Sequence, residues 1–371
     1  MTAQPDLLNQ RYVEAMRSMQ ELGVFGKPSR DYLGKVVFRQ LGAKRKDILV
    51  GPRFGVDNSV LTIAPGKVLV ATTDPVSFIP NLRPAVSAWL SVNLIASDLA
   101  TSGFAPQFGI FDFNLPPQMT DKTFESYWRG FHKECLRLGI AIVGGHTGRY
   151  PGCNYSVIGG GVLCAMGSEE AYLTSAMAQP GDDIILTKGA AIETTAVLAT
   201  AFPKTVKHAI GSSLFEKARQ SLGKVTTVND ALTASSIGVH GEGVTAMHDA
   251  TEGGVMAAVL ELATASQLGL ELDLDLIPIS QETQEICKLF RMDPITSLSE
   301  GSLVISCKPI KTNRVSKRLR SKQIDSTVIG RLTERGGRAY GTTRGGRIRL
   351  HYPKLDPYWK AYWRAVRKGW N

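Results

Sequence analysis

Ser97-Asp98-Leu99-Ala100-Thr101-Ser102-Gly103 places a carboxylate inside an otherwise apolar run that stops on a glycine. From Pro84 to about Thr101 the spacing predicts a helix, with Pro84 near its start and Gly103 as its stop. Asp98 then lies inside that helix beside Asn93 and Ser97, where a charge is costly unless it meets a partner or a metal ion. Aspartates next to turn-forming residues recur outward from this point. They stand in Gly55-Val56-Asp57, in Thr72-Thr73-Asp74-Pro75 and in His248-Asp249-Ala250-Thr251-Glu252-Gly253-Gly254, with Val143-Gly144-Gly145-His146-Thr147-Gly148 between them. Glycine lets backbone amides approach a phosphate closely, and carboxylates are the hard oxygen ligands that magnesium prefers. Several such pairs, each at the end of an apolar run, are what a magnesium–nucleotide site assembled from strand ends requires.

The periodicity around these strings alternates between strand and helix. Residues 1–45 read as a helical segment, with Tyr12, Met16, Met19 and Leu22 at helical spacing. Ser59–Ile63 and Val68–Thr72 read as strands around the Pro65-Gly66 turn, and Phe108–Asn114 as another. Thr120 is the expected N-cap of a helix that runs through Leu138 and stops at Gly139. Ile140–Val143 reads as a buried strand feeding a turn at Gly144-Gly145, and Tyr155–Met166 as a strand interrupted by Gly159–Gly161. A second unit begins near Pro180, with a strand at Ile184–Thr187, a helix at Glu193–Ala201 and a polar helical region over 203–230. It continues with a strand at Val244–Met247, a helix from the Asp249–Gly254 turn to about Leu268, and a strand at Leu303–Ser306. This alternation predicts an α/β or α+β class in two domains. The expected divisions are 1–45, 46–175, 176–350 and 351–371.

With 371 residues, 43% apolar and 20% charged, the composition is that of a globular chain, and no apolar stretch is long enough for a membrane span. The start of the chain lacks a signal-peptide layout, and five cysteines form no CxxC pair, so a cytoplasmic protein without disulfides or structural zinc is expected. The net charge of +10 is unevenly spread. Residues 308–371 hold 18 of the 43 Lys/Arg and only 3 of the 33 Asp/Glu, so the remainder is mildly acidic.

Each candidate residue has a plain reading beside the chemical one. The Asp249–Gly254 string either presents helix N-terminal amides to a phosphate or simply caps a helix. Asp57 and Asp74 are either ligands or turn-forming aspartates. His146 suits a phosphate contact or acid–base work near neutrality, or a turn held by backbone bonds. Lys188, after the strand Ile184–Thr187, suits phosphate neutralisation or plain solvation, and Glu300 a ligand amine or ribose. At the end of the chain, Asp356-Pro357 begins a helix whose Tyr358, Trp359, Tyr362, Trp363, Val366 and Trp370 share one face. Docking of that face onto the body or a second subunit is favoured. Nucleic acid or an anionic surface is the alternative, given Arg-Gly-Gly-Arg at 335–338 and 344–347.

Together these strings resemble the PurM-like superfamily, which includes aminoimidazole ribonucleotide (AIR) synthase, thiamine-monophosphate kinase, selenophosphate synthetase and the hydrogenase maturation protein HypE. Gly55–Val60 resembles G-x-D-A-A, Ser97–Gly103 with Pro106 resembles N-D-L-A-x-x-G-A-x-P, and Gly144–Thr147 resembles G-G-D/E-T. Leu186–Gly189, Asp249–Gly254 and Asp293-Pro294 with Glu300-Gly301 resemble second-domain signatures, and the nearest branch looks HypE-like. The resemblance implies a two-domain fold and a homodimer whose N-terminal sheets pair into a barrel. ATP would lie in the cleft, with Mg²⁺ on Asp57, Asp74 and Asp98. Asn93, Gly144, Gly145, Thr147, Thr251, Gly253, Gly254 and Glu300 would join Asp57 and Asp98 around the nucleotide, with His146, Lys188 and Asp249 as catalytic residues.

The chain departs from this pattern at several places. It has no cysteine after Cys307, so the self-modification of a C-terminal cysteine found in HypE is not available to it. No cysteine precedes Cys135, His146 stands where the family has Asp or Glu, and Ser97 replaces Asn. The implied activity is ATP- and Mg-dependent activation of an oxygen of a small molecule or protein-borne group by phosphoryl transfer, with or without dehydration or cyclisation. The alternatives are a small-molecule kinase resembling thiamine-monophosphate kinase and a non-catalytic nucleotide-binding scaffold or maturation factor.

Overall fold

The computed structural model describes residues 27–28, 30–79, 81–154 and 156–371. The helix expected around Tyr12–Leu22 lies outside them. The first sheet has the order β1-β2-β3-β6-β4-β5. Its strands are β1 (Ile48–Val50), β2 (Ser59–Ala64), β3 (Lys67–Phe78), β4 (Phe108–Leu115), β5 (Ala141–Arg149) and β6 (Ser156–Ser168). Helix α1 (Pro84–Ala100) follows β3, and α2 (Asp121–Leu138) connects β4 to β5. That crossover makes β4 and β5 parallel, whereas the other pairs in this sheet are antiparallel.

The caps expected for α2 are present. The Thr120 hydroxyl accepts from the Thr123 amide at 3.2 Å, and Gly139 ends the helix at φ 75°. Alternation along β3 turns Val68, Val70, Thr72 and Val76 to the buried face, which α1 covers. Phe111 and Phe113 of β4 meet Phe131 of α2 edge-on at 4.7 and 5.5 Å.

Three expectations are corrected here. β3 runs on through Phe78, so Thr72–Pro75 is no turn, and Asp74 sits in mid-strand opposite Gly161. Gly144–Gly148 is not a turn either: it continues β5, which lies at the edge of the sheet and is largely exposed rather than buried. β6 passes unbroken through Gly159–Gly161, whose glycines allow close backbone approach rather than interruption.

The second sheet has the order β13-β12-β9-β11-β7-β10-β8. It contains β7 (Asp183–Thr187), β8 (Val244–Asp249), β9 (Leu268–Asp273), β10 (Leu303–Cys307), β11 (Ser326–Arg335), β12 (Ala339–Thr343) and β13 (Gly346–Arg349). The helices are α3 (Ile192–Ala201), α4 (Pro203–Gln220), α5 (Val228–Ser235), α6 (Gly254–Ala265), α7 (Gln281–Phe290) and α8 (Pro309–Ser321). α6 stops at Ala265, and β9 takes up the residues assigned to its last turn. One apolar cluster joins the halves: Val70, Ile95 and Leu99 pack in it with Ile185, Met247 and Leu303. The terminal helix α9 (Pro357–Arg367) buries Tyr358, Tyr362 and Trp363 against α3, α4 and α7, so its aromatic face is docked. All five cysteines are free, and among the described residues no helix is long and apolar enough to cross a membrane.

Gly159 tests the β4–β6 pairing. Its φ is 152°, and a Cβ there would collide with the Asp112 carbonyl. Gly159→Ala is expected to cost about 2–4 kcal/mol in a denaturant titration. A loss below about 0.5 kcal/mol would show that the two strands can separate without penalty.

Candidate functional site

The middle of β3 and the C-terminal ends of α1 and β8 converge with the loop before β2. Asp74 shares the inward phase of Val70, Thr72 and Val76, which turns it toward α1. Asp98 meets the Thr72 hydroxyl at 3.4 Å. Asn58 secures the same corner by donating to the Asp98 carbonyl at 2.9 Å and to the Thr101 hydroxyl at 2.8 Å. The loop carrying Asp57 presses on α6, where a Cβ on Gly55 would come within 2.6 Å of the Glu261 carbonyl. Asp249 ends β8 and is fully buried, and neither carboxylate oxygen meets an N–H or hydroxyl donor among the described residues. Glu300, also buried, leaves Oε1 without a partner.

Crowding of these acids raises their proton affinity. Burial, with charge from Asp249 and Asp57, holds Asp98 well above the usual carboxylate range. Burial brings Asp74 up to about 7. Burial and the Asp57 charge bring Asp249 to about 6. Glu300 is held high by burial, then by Asp249 and Glu193. Glu193, in the first turn of α3, is pushed to about 8 by burial, then by Asp356 and Asp74.

Positive charge enters at two places that the sequence reading missed. His248 is buried between carboxylates, its Nδ1 2.7 Å from Asp57 Oδ2 and its Nε2 2.7 Å from Glu261 Oε2. Burial alone would depress this imidazole, but Asp57 and Glu261 together lift it to about 10, so both nitrogens donate. Asp57, His248 and Asp249 offer ligand atoms all within 4.8 Å of one another. With both nitrogens engaged, His248 serves there as a counter-charge and not as a metal ligand. Glu261 is correspondingly lowered to about 2: burial opposes ionisation, but His248, Lys27 and the Tyr352 hydroxyl, 2.6 Å from Oε1, overcome it.

Lys27 is the second. The residue as a whole is exposed, but its ammonium points inward, 3.1 Å from the Thr251 hydroxyl. Burial would lower it, yet the charges of Glu261, Asp98 and Asp57 hold it well above the ordinary lysine range. A sequence signal existed for His248, which stands directly before Asp249. Nothing local marked Lys27 or Glu261.

Several expected residues lie elsewhere. His146, with Gly144, Gly145 and Thr147, is on exposed β5, where its Nε2 is 2.6 Å from the Tyr150 hydroxyl. Asn93 faces α2, donating to Glu134 Oε1 at 2.7 Å. The Lys188 ammonium is taken up by Asp230 at 3.0 Å and by the carbonyls of Thr226 at 2.7 Å and Gly301 at 2.8 Å, so it ties loops together rather than facing the acids. Gly253 does begin α6, but its amide donates to Asp356 Oδ2 at 2.8 Å, so the tail holds a position expected for phosphate. Gly254 packs under the Ile295 and Ser297 carbonyls, where a Cβ would come within 2.6 Å of each oxygen.

Asp249 and Glu300 keep buried carboxylate oxygens without an N–H or hydroxyl donor among the described residues, a ligand type that suits a hard divalent cation. Asp57 and Asp249, whose ligand atoms lie within 4.8 Å of each other, could hold one between them, with Asp74 and Asp98 near enough to feel the Asp249 charge.

The chain is similar to known proteins in sequence and in fold. The model of the N-terminal domain of AIR synthase related proteins matches residues 55–166, and that of the C-terminal domain matches 179–341. The chain is 30% identical over 262 residues to a selenide, water dikinase of Myxococcus xanthus, covering 69% of this chain and 68% of that protein. It is 25% identical to carbamoyl dehydratase HypE of Escherichia coli, covering 80% and 85%. A crystal structure of hydrogenase maturation protein HypE in complex with ATP superposes with a TM-score of 0.61 at 18% identity, over 91% of this chain and 98% of that one. Both domain models occur here in order, each on one of the two sheets, and the chain therefore belongs to the AIR synthase-related family.

Proposed function

We propose that this chain is an ATP- and magnesium-dependent enzyme that activates an oxygen of a small molecule or protein-borne group by phosphoryl transfer. The observation that carries the reading is the buried Asp249 carboxylate, with no N–H or hydroxyl donor to either oxygen among the described residues, in the company of Asp57, Asp98 and Glu300. Such a group is costly to bury without a cation. Magnesium bound there would neutralise phosphate charge and align the transferred group. The chain's own residues do the rest. The His248 imidazolium fixes Asp57, Lys27 adds positive charge beside Thr251, and the glycines at 253 and 254 let the backbone turn tightly into α6. Relatives named as a dikinase and a dehydratase support phosphoryl transfer as the shared step. A kinase would retain the phosphate on its product, whereas a dehydratase would release it.

Phosphorus NMR with ATP, with and without Mg²⁺, tests this directly. Mg-dependent ADP formation is expected, falling at least ~100-fold in Asp98→Asn. Equal turnover in the variant would remove Asp98 from the site.

The raised carboxylates also predict a pH dependence. In the folded, metal-free chain Asp74 and Asp249 keep protons up to about 7 and about 6, whereas the unfolded chain loses them near the ordinary aspartate value of 3.8. The folded state thus binds more protons across that window, and its stability falls as pH rises through it. Mg²⁺ competes with those protons. Its increase in Tm should therefore be larger at about pH 8 than at about pH 5.5. Equal increases at the two pH values would contradict the assignment of these carboxylates as ligands.

We further infer a homodimer through the first sheet. Ile110, Val143, Val157 and Met166 lie on the adjacent strands β4, β5 and β6 and are 49%, 57%, 57% and 47% exposed. A neighbouring cluster of this kind marks an interface. Light scattering is expected to give twice the chain mass of 40.2 kDa, and Val143→Lys with Val157→Lys to give the single chain. A monomeric parent protein would refute the pairing.

A further inference from the structure

We propose that Trp359, in the tail helix, is a positioning residue for the acidic site and acts through Glu252 on Lys27. The inference rests on the function proposed above. Glu252 lies in the turn between Asp249 and α6, and its two carboxylate oxygens are shared between distant parts of the chain. Oε1 accepts from the Trp359 indole Nε1 at 3.0 Å, and Oε2 accepts from the Lys27 backbone amide at 2.8 Å. The Lys27 side chain then reaches Thr251 in the same turn, 3.1 Å from its hydroxyl.

The tail is fixed firmly enough to act as a reference point. Asp356 spans the junction, Oδ2 accepting from the Gly253 amide and Oδ1 from the Tyr358 amide, both at 2.8 Å. Tyr358, Tyr362 and Trp363 are buried, and Arg364 donates to the Phe290 carbonyl. A carboxylate bonded at both oxygens has little freedom to rotate. Glu252 thus transmits the position of Trp359 to the backbone of Lys27, and so to the ammonium beside Thr251, whose charge acts on Glu261 first and then on Asp98 and Asp57. Tyr352 adds a parallel contact, its hydroxyl 2.6 Å from Glu261 Oε1.

Trp359→Phe keeps most of the ring packing and removes only the indole N–H. The first readout needs no activity: acetylation of the Lys27 amine by acetic anhydride, followed by mass spectrometry. Labelling is expected to rise about 3-fold or more in Trp359→Phe and in Glu252→Ala, whose half-buried side chain can be removed without opening a core. The second readout is ATP turnover in a double-mutant cycle. Trp359→Phe should slow turnover about 5–10-fold in the parent protein and have little further effect in a Lys27→Ala background. Unchanged labelling in both variants, or equal slowing in both backgrounds, would overturn the proposal and leave the indole as packing alone. A parent protein that neither binds nor turns over Mg-ATP would instead defeat the functional reading, with the labelling result still deciding the clamp.

Discussion

A protonated imidazole sealed between two carboxylates holds the halves of this molecule in register. Asp57 belongs to the loop before β2, and Glu261 to α6 on the second sheet. His248 bonds both at 2.7 Å with almost no access to solvent. Burying three charges is expensive, and the arrangement is tolerable only because each nitrogen has its own acceptor. Removing one carboxylate would leave an uncompensated buried charge, typically at a cost of about 3–5 kcal/mol. The constraint reaches outward from there. Gly55 must lie against the α6 backbone, Asp57 cannot swing away, and Tyr352 is drawn in by the outer oxygen of Glu261.

The same bridge settles how the local charge is divided. His248 and Lys27 offset Asp57 and Glu261, while Asp98, Asp249 and Glu300 keep an excess of negative character relieved in the free protein by bound protons. Under the proposed function such a site would exchange protons for a cation, which is a different design from a preformed ring of ionised ligands. Lys188 shows the converse. Its ammonium is so fully occupied by Asp230 and loop carbonyls that it has no capacity left for a ligand.

Much of this was legible in the chain. Asp98 inside an apolar helix was a local contradiction that demanded a partner, and the glycine-flanked Asp57 and Asp249 pointed to the same place. Helix α2 was readable from Thr120 and Gly139 because caps are local signals. Strand continuity was less readable. Gly144–Gly148 and Gly159–Gly161 look like turns, yet the neighbouring strands lie so close that only glycine fits, and β5 and β6 run straight through. His146 was placed near the nucleotide by resemblance, but β5 carries it to the exposed sheet edge. Lys27 and Trp359 depend on contacts 224 and 107 residues away, and Glu261 acts through His248, which is itself tied to Asp57 191 residues away, so no short window along the sequence contains these roles.

That dispersion bears on how the molecule is made. The acidic pocket draws on residue 27 near one end of the chain and on residue 359 near the other, with Asp57, Asp98, Asp249 and Glu300 between. During synthesis the first sheet can form while most of the second is still inside the ribosome, but the pocket cannot. The Glu252 turn gains its indole contact only when the helix carrying Trp359 has docked, so the pocket takes its final form late, after both sheets are in place.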